Sequence, residues 1–549
     1  MIRWAAASFS MVGLLLGLAL FCLSLTPSLL PRGVAVQGIL SGMVFAAGYG
    51  IGWTGHRLWR FMELRDLTGR PARIVTRILL VVSLGLGGLT LSRMTVWQNS
   101  VRIRMEMELI ESAYPAEVVL IALLTAVVVV LLVRFLLAGA SRLVRLVNRY
   151  LPRRVAAVLG SVLFGLLLLS FVDGVILKKT LHGMDQSFAA VDRLLDDEYP
   201  VPADDRASGS RNSLIAWDDI GRNGKRFVAD GPTEEEIAGL LGREAKRPIR
   251  VYAGFHTGET LVERAAIALE ELKRVGGFER AVLVIATATG TGWLDPSAVD
   301  PVEFLHAGDI ATVSLQYSYL PSWLTLMVEP EASTQAAQAL FDAVYGHWTT
   351  LPRDERPELY LYGLSLGALG SEASADLITM VGDPVNGALW SGPPFPSTSW
   401  KAATRNRAPG SPEWRPVFRD SAAIRFMTQE GFPDLPEAEW GPMRIVYLQH
   451  ASDPMTWFST DLAWSEPGWL GAERGRDVSP YLRWFPVVTS FQVAFDVPNS
   501  TNVPLGYGHN FAPAEYIKAW VEVMQPEGWS AADSARLEEH FSDFDPNPL

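Results

Sequence analysis

Five apolar runs precede residue 180, at about 10–30, 35–55, 74–92, 117–139 and 155–177. Each approaches the ~20 residues that a helix needs to cross ~30 Å of hydrocarbon. In lipid the backbone finds no water to bond, so it must satisfy its own N–H and C=O groups, and helices are the expected form. Residues 1–180 are therefore expected to form an all-α transmembrane bundle of about five spans. The third run is the weakest, because it holds Arg77 and several glycines. The first run follows Arg3, as a signal peptide would. It is long, however, ends in Pro27 and Pro31-Arg32 without a small-residue cleavage pattern, and leads into further spans, so it is read as retained.

Charge assigns the two sides. The second connection carries Arg57, Arg60, Arg65, Arg70 and Arg73, and the fourth Arg142, Arg145, Arg149, Arg153 and Arg154. Lys and Arg concentrate in cytoplasmic connections, which places both inside. The first connection holds only Arg32, and the third (about 94–116) mixes Arg102 and Arg104 with Glu106, Glu108 and Glu111, so both fit the outside. The third could also lie on the membrane surface as an amphipathic helix or be an ordinary solvated connector. Five spans with the N-terminus inside put the rest of the chain outside the cytoplasm; Lys178 and Lys179 at the exit pull slightly the other way, and one run failing to span would reverse the assignment. A transport role finds little support, since the interiors of the runs lack clear ionisable pathway residues apart from Arg77, Arg134 and Asp173, near span ends.

Residues 1–180 hold 19 Lys+Arg against 7 Asp+Glu, whereas the whole chain has a formal charge of −12. The C-terminal part is thus strongly acidic, which argues against nucleic acid as a partner, because phosphate binding needs clustered Lys and Arg. Cys22 is the sole cysteine. It permits no intramolecular disulfide, thiolate metal cluster or Cys–His pair. No HExxH, phosphate loop or dinucleotide motif occurs, so no metal or cofactor is expected.

A polar linker over 181–247 precedes an alternation of strands and helices across 248–549. Strand-like segments lie at 248–254, 281–287, 310–318, 358–363, 387–392 and 444–451, with amphipathic helices at 262–277, 332–348 and 368–382. This pattern predicts a mainly parallel sheet with helices on both faces. The Pro-, Trp- and Arg-rich stretch 393–443 interrupts it, and reads as a cap over a site or as a packed excursion.

The sharpest local signal is LYLYGLSLGALG, which contains G-x-S-x-G as Gly363-Leu364-Ser365-Leu366-Gly367. The pentapeptide alone is weak. Here it follows an apolar strand and opens a helix, the strand–turn–helix setting of a nucleophile elbow. Ser365 then sits at a helix N-terminus with the Leu366 N–H facing a developing oxyanion. A serine needs a base. Downstream of Ser365 stand His450, His509 and His540. His509, in the glycine-flanked PLGYGHNF, is the favoured base, His540 falls in a polar terminal helix, and His450 reads as a structural residue orienting its loop. Asp453, in the turn just past a late strand, is the favoured acid; Asp496 is the alternative. The loop after the strand 281–287 should supply a second oxyanion donor, from Thr291 or Gly290. Trp293, Gln316 and Tyr317 could wall a pocket, although each is more often plain core.

Several stretches together resemble a bacterial membrane-bound α/β-hydrolase family that couples a multi-span N-terminal domain to a hydrolase domain. They are WDDIGRNGKRFV (217–228), RPIRVYAG (247–254), ATGTGWLDP (288–296), QYSYLPSW (316–323), RPELYLYGLSLGALGSE (356–372), QHASDPMTW (449–457), RWFPVVTSFQVAFD (483–496) and VPLGYGHNF (503–511). The resemblance implies an α/β-hydrolase fold, a nucleophile at Ser365, and Asp453 and His509 at the matching positions; it implies no substrate. Leu364 before the serine departs from a Glu that would be unsurprising there, which changes the wall beside the nucleophile. The expectation is a serine hydrolase of the bacterial plasma membrane, its catalytic domain extracytoplasmic, acting on a lipid or cell-envelope acyl ester. Acyl transfer from the same acyl-enzyme and a non-catalytic membrane scaffold are the alternatives.

Overall fold

The apolar runs fold as helices α1 (Met11–Ser24), α2 (Val34–Phe61), α3 (Gly69–Arg102), α4 (Pro115–Val147) and α5 (Arg153–Phe171). The computed structural model describes residues 10–66, 69–171, 199–434, 438–471 and 473–546. Asp173, Lys178 and Lys179 lie outside the described residues. Among the described residues, three helices are long and apolar enough to cross a membrane: α2, α3 and α4. The 14 residues of α1 rise about 21 Å at 1.5 Å each, short of the hydrocarbon core, and the apolar stretch of α5 that is described covers Val158–Leu167. The third connection forms no separate surface helix, because residues 94–102 continue α3 and only a 3₁₀ turn, Ile103–Met105, follows.

Small residues let α1 and α2 touch. A Cβ on Gly13 would lie 2.8 Å from the Tyr49 carbonyl oxygen, and one on Gly52 2.8 Å from the Gly13 Cα. Close backbone approach through small residues is how helices gain packing where no hydrophobic force separates them from lipid. The outward faces of α3, α4 and α5 are apolar instead: Val81, Leu84, Leu120, Leu124, Phe135 and Val158 are all exposed. A contiguous apolar surface of this extent marks contact with a nonaqueous partner.

Packing groups the chain into two units. The first unit contains Met1–Gly183 together with Phe458–Ala472 and Arg476–Asn499; the second contains Met184–Trp457, Glu473–Gly475 and Ser500–Leu549. Residues 458–499, which the alternation pattern assigns to the hydrolase half, are thus largely part of the helical unit. Val488 packs with Leu40 and Val44 of α2, and Phe485, Phe491 and Phe495 flank that cluster. Asp496 accepts hydrogen bonds from the Leu29 N–H (3.1 Å) and Leu30 N–H (3.3 Å) and from the Ser28 hydroxyl. Arg32 Nε lies 3.7 Å from Asp496 Oδ1, with both side chains buried. The alternative acid is therefore a structural anion of the helical unit.

The second unit is built on a seven-stranded sheet: β1 (Ile249–Ala253), β2 (Val282–Thr287), β3 (Ile310–Leu315), β4 (Glu358–Leu364), β5 (Gly387–Ser391), β6 (Ile424–Met427) and β7 (Arg444–Leu448). Its order is β1-β3-β2-β4-β5-β7-β6, and all six pairings are parallel. Strands β1, β2, β3 and β5 are buried at every position, as expected when crossover helices cover both faces. Leu261–Arg274, one of these helices, starts at a capping box between Thr260 and Glu263, which satisfies otherwise orphaned N–H groups. The stretch 393–443 is no simple cap. It contributes the helix Thr398–Arg405 and then β6, which extends the sheet edge beside β7.

Candidate active site

In an open parallel sheet, loops at the carboxyl ends of the strands collect the chemistry. β4 lies centrally and runs directly into the helix Leu366–Ser374 through Ser365. Ser365 adopts φ 57°, ψ −122°, a conformation that costs a non-glycine residue free energy and holds its side chain at the apex of the turn. Two glycines make the turn sterically possible. A Cβ on Gly363 would come within 2.3 Å of the Gly367 carbonyl, and one on Gly367 within 2.1 Å of the Thr287 oxygen at the end of β2. The Ser365 N–H donates to the Ser391 carbonyl at 2.9 Å, tying the elbow to β5.

The loop after β7 supplies Asp453 and the loop 500–512 supplies His509. Asp453 is fully buried. Its Oδ1 accepts the Met455 N–H at 2.8 Å, and its Oδ2 accepts the Thr456 hydroxyl at 3.1 Å and His509 Nδ1–H at 2.7 Å. That last bond fixes the imidazole tautomer with Nε2 as the available base. The ring is also confined on one face, since a Cβ on Gly392, just past β5, would sit 2.4 Å from His509 Cε1. Ser365 Oγ and His509 Nε2 are both buried and without a hydrogen-bond partner among the described residues. A buried polar atom left unpaired is costly, and the two atoms here are of complementary chemistry, a hydroxyl and a ring nitrogen.

Leu366 is buried in the first helical turn, where N–H groups lack an intrahelical acceptor. In the loop after β2 the Gly290 N–H donates to Ser322 Oγ at 3.1 Å, and the Gly292 N–H donates to the Thr289 carbonyl at 3.0 Å. Gly290 is thus committed to a partner that lies 32 residues away in sequence, which the local glycine pattern does not reveal. Thr291 is half-buried, and its carbonyl accepts Asn223 Nδ2–H at 2.9 Å. Tyr317 braces the same loop through a 3.2 Å bond to the Ala288 carbonyl; Gln316 bonds the Ser318 carbonyl, and Trp293 is half-buried. His540 is exposed on the terminal helix.

His450 does more than end a strand. Its Nδ1 lies 2.9 Å from the Gly508 carbonyl and its Nε2 2.9 Å from Glu515 Oε1. Ser452 Oγ accepts the Gly508 N–H at 2.9 Å. The loop after β7 and the loop 500–512 are therefore bonded at three places: His450–Gly508, Ser452–Gly508 and Asp453–His509. Ser452 lies in the stretch QHASDPMTW but is not singled out by it, and Glu515 falls outside every stretch that carries the resemblance, so the sequence offers no signal for it beyond its proximity to the triad candidates.

A family model described as the alpha/beta-hydrolase family matches residues 249–537, and one described as the N-terminus of that family matches residues 25–232. Neither a curated protein nor a solved structure matches the chain.

Proposed function

Because the chain belongs to the alpha/beta-hydrolase family, we propose that it is a membrane-anchored serine hydrolase that cleaves an ester through an acyl-enzyme on Ser365. The observation that carries this reading is the buried Asp453–His509 pair at 2.7 Å, with His509 Nε2 and the strained Ser365 hydroxyl both left unpaired. His509 Nε2 takes the Ser365 proton as Oγ attacks the ester carbonyl carbon. Backbone N–H groups at Leu366 and in the loop after β2 stabilise the oxyanion. The departing alkoxide takes the proton from His509. Water then attacks the acyl-serine, giving its proton to His509, and the acid leaves as Ser365 is restored.

A lipid or envelope acyl ester is the proposed substrate class, because the apolar outer faces of α3 and α4 hold the enzyme where such esters concentrate. The catalytic unit is proposed to lie outside the cytoplasm. Within the helical unit, the segments contributed by the C-terminal half bond to the α1–α2 connection, through Asp496, and to Ser100 near the end of α3, through Ser479 at 2.7 Å. Both places are at the helix ends remote from the Arg-rich connections 57–73 and 142–154, which favour the cytoplasm. Two assays test the proposal. Purified full-length enzyme in detergent should release acid from a panel of acyl esters and lose this with Ser365→Ala. A C-terminal alkaline phosphatase fusion should be active and a C-terminal fluorescent-protein fusion dark; the reverse pattern would place the catalytic unit inside.

A further inference from the structure

The His450–Glu515 pair presents a problem of proton counting. Both ring nitrogens of His450 face acceptors: the Gly508 carbonyl at Nδ1 and the Glu515 carboxyl at Nε2, each at 2.9 Å. A neutral imidazole has one N–H and can satisfy only one of them. Glu515 Oε2 is itself occupied by the Ala512 N–H at 2.7 Å, so the carboxyl is held in place on both oxygens. His450 is fully buried and Glu515 nearly so. Both contacts are satisfied together only if the pair holds one proton more than neutral imidazole plus carboxylate, on Nε2 or on Glu515.

We propose that His450 and Glu515 are positioning residues that share a buried proton, and that this proton holds Gly508, and through it the base His509, against the acid loop. The inference rests on the reading of Ser365, Asp453 and His509 as a triad. Gly508 is the immediate neighbour of His509 and is gripped on both sides, its carbonyl by His450 and its N–H by Ser452. Phe511 packs between the two imidazoles, with ring centroids 4.4 Å from His450 and 5.8 Å from His509. When the proton is lost, one of the two bonds goes. If the surviving N–H is on Nε2, facing the carboxylate, the Gly508 carbonyl loses its donor and the base loop is freed on that side.

Three segments pack at this point, and their ionisable groups set the alternatives. Asp453 shares the loop of His450 and is bonded to His509; Tyr507 and His509 are on the base loop. The helix Pro513–Met524 carries Glu515, the buried Tyr516, Lys518 and Glu522. Lys518 is paired with Glu538 at 3.7 Å, and Glu522 with Arg425. Glu515 is the carboxyl bonded to His450.

The test is the rate of fluorophosphonate labelling of the full-length enzyme in detergent, measured from acid to alkaline pH. The wild-type rate should fall at alkaline pH by at least fivefold. Glu515→Gln supplies an amide N–H to Nε2, so a neutral His450 can keep Nδ1–H on Gly508. This variant should label within about threefold of wild type near neutrality and lose the alkaline fall. His450→Gln, which holds no titrating proton, should also lack the alkaline fall, at a rate lowered throughout. It keeps the test available if Glu515→Gln does not fold. A purely structural role would lower the rate in either variant without changing the shape of the profile. The proposal is overturned by a wild-type profile that stays flat at alkaline pH, or by a Glu515→Gln or His450→Gln profile that keeps the wild-type fall. Wild type that fails to label at any pH overturns the triad reading, and this inference with it. Labelling with an unchanged variant profile overturns the inference alone.

Discussion

Asp453→Asn should nearly abolish catalysis while leaving the fold intact. The geometry allows the substituted amide two orientations. With its oxygen on the Met455 N–H, replacing the 2.8 Å bond of Oδ1, the NH2 group points at His509 Nδ1, where Oδ2 accepted at 2.7 Å. An amide NH2 can only donate there, so Nδ1 must give up its proton and Nε2 must carry one. An Nε2–H cannot accept the Ser365 proton. The other orientation keeps the working tautomer but sets NH2 against the Met455 N–H in a fully buried place, which costs about 1–3 kcal/mol in unpaired groups. The first orientation wins, and the wrong tautomer lowers the rate of serine attack by about 10³–10⁴-fold, or about 4–5.5 kcal/mol of barrier. The assay is the second-order rate constant for fluorophosphonate labelling near neutral pH, with the thermal midpoint as control. A loss of less than tenfold in a folded variant would refute the claim that Asp453 sets the His509 tautomer.

Other predictions follow from single contacts. Gly367→Ala would place a Cβ 2.1 Å from the Thr287 oxygen, a backbone clash no side chain can relieve, so labelling should fall at least a hundredfold and the thermal midpoint should drop. Asp496→Ala strands the buried Arg32 and should cost about 3–5 kcal/mol, read as a lower midpoint of the full chain; adding Arg32→Met should recover much of it. Burial holds the His306 imidazole down to about 4, below the ~6.5 of an exposed histidine. The folded state then binds fewer protons than the unfolded state between about pH 6.5 and 4, so its contribution is full above that window. On the order of 3 kcal/mol is lost as pH falls through it. The midpoint difference between wild type and His306→Gln should change by that direction over the window, and a pH-independent difference would contradict it.

What could be read from the sequence follows the range of the interactions involved. The elbow was legible because strand, glycine turn and helix are contiguous, and the two glycines answer clashes within a few residues or with one neighbouring strand. The strand alternation was legible because β2, β3 and β5 are buried along their whole length and so are mostly apolar, with only small polar residues such as Thr312 and Ser314 among them. β6 was not, since Ile424–Met427 is four residues long, includes Arg425, and takes its place through its pairing with β7. Helix α3 also outran its signal: the apolar run ends near 92, but Asn99 and Ser100 stay helical to Arg102, Asn99 bonding Ile110 and Ser100 bonding Ser479. Asp496, the alternative to Asp453 because it is close to His509 in sequence, bonds instead to Ser28, Leu29 and Leu30, 466–468 residues away, which its sequence neighbours do not reveal. The His450–Glu515 pair is separated by 65 residues, and although His450 lies in the stretch QHASDPMTW, Glu515 falls outside every stretch that carries the resemblance.

The most direct test of the central claim is labelling of the purified full-length enzyme with a fluorophosphonate, followed by mass spectrometry of the modified peptide. The account predicts a single adduct on Ser365 that is absent in Ser365→Ala and depressed in His509→Ala. A wild-type enzyme that stays unmodified while a reference serine hydrolase reacts in the same detergent, or an adduct on another residue, would contradict it.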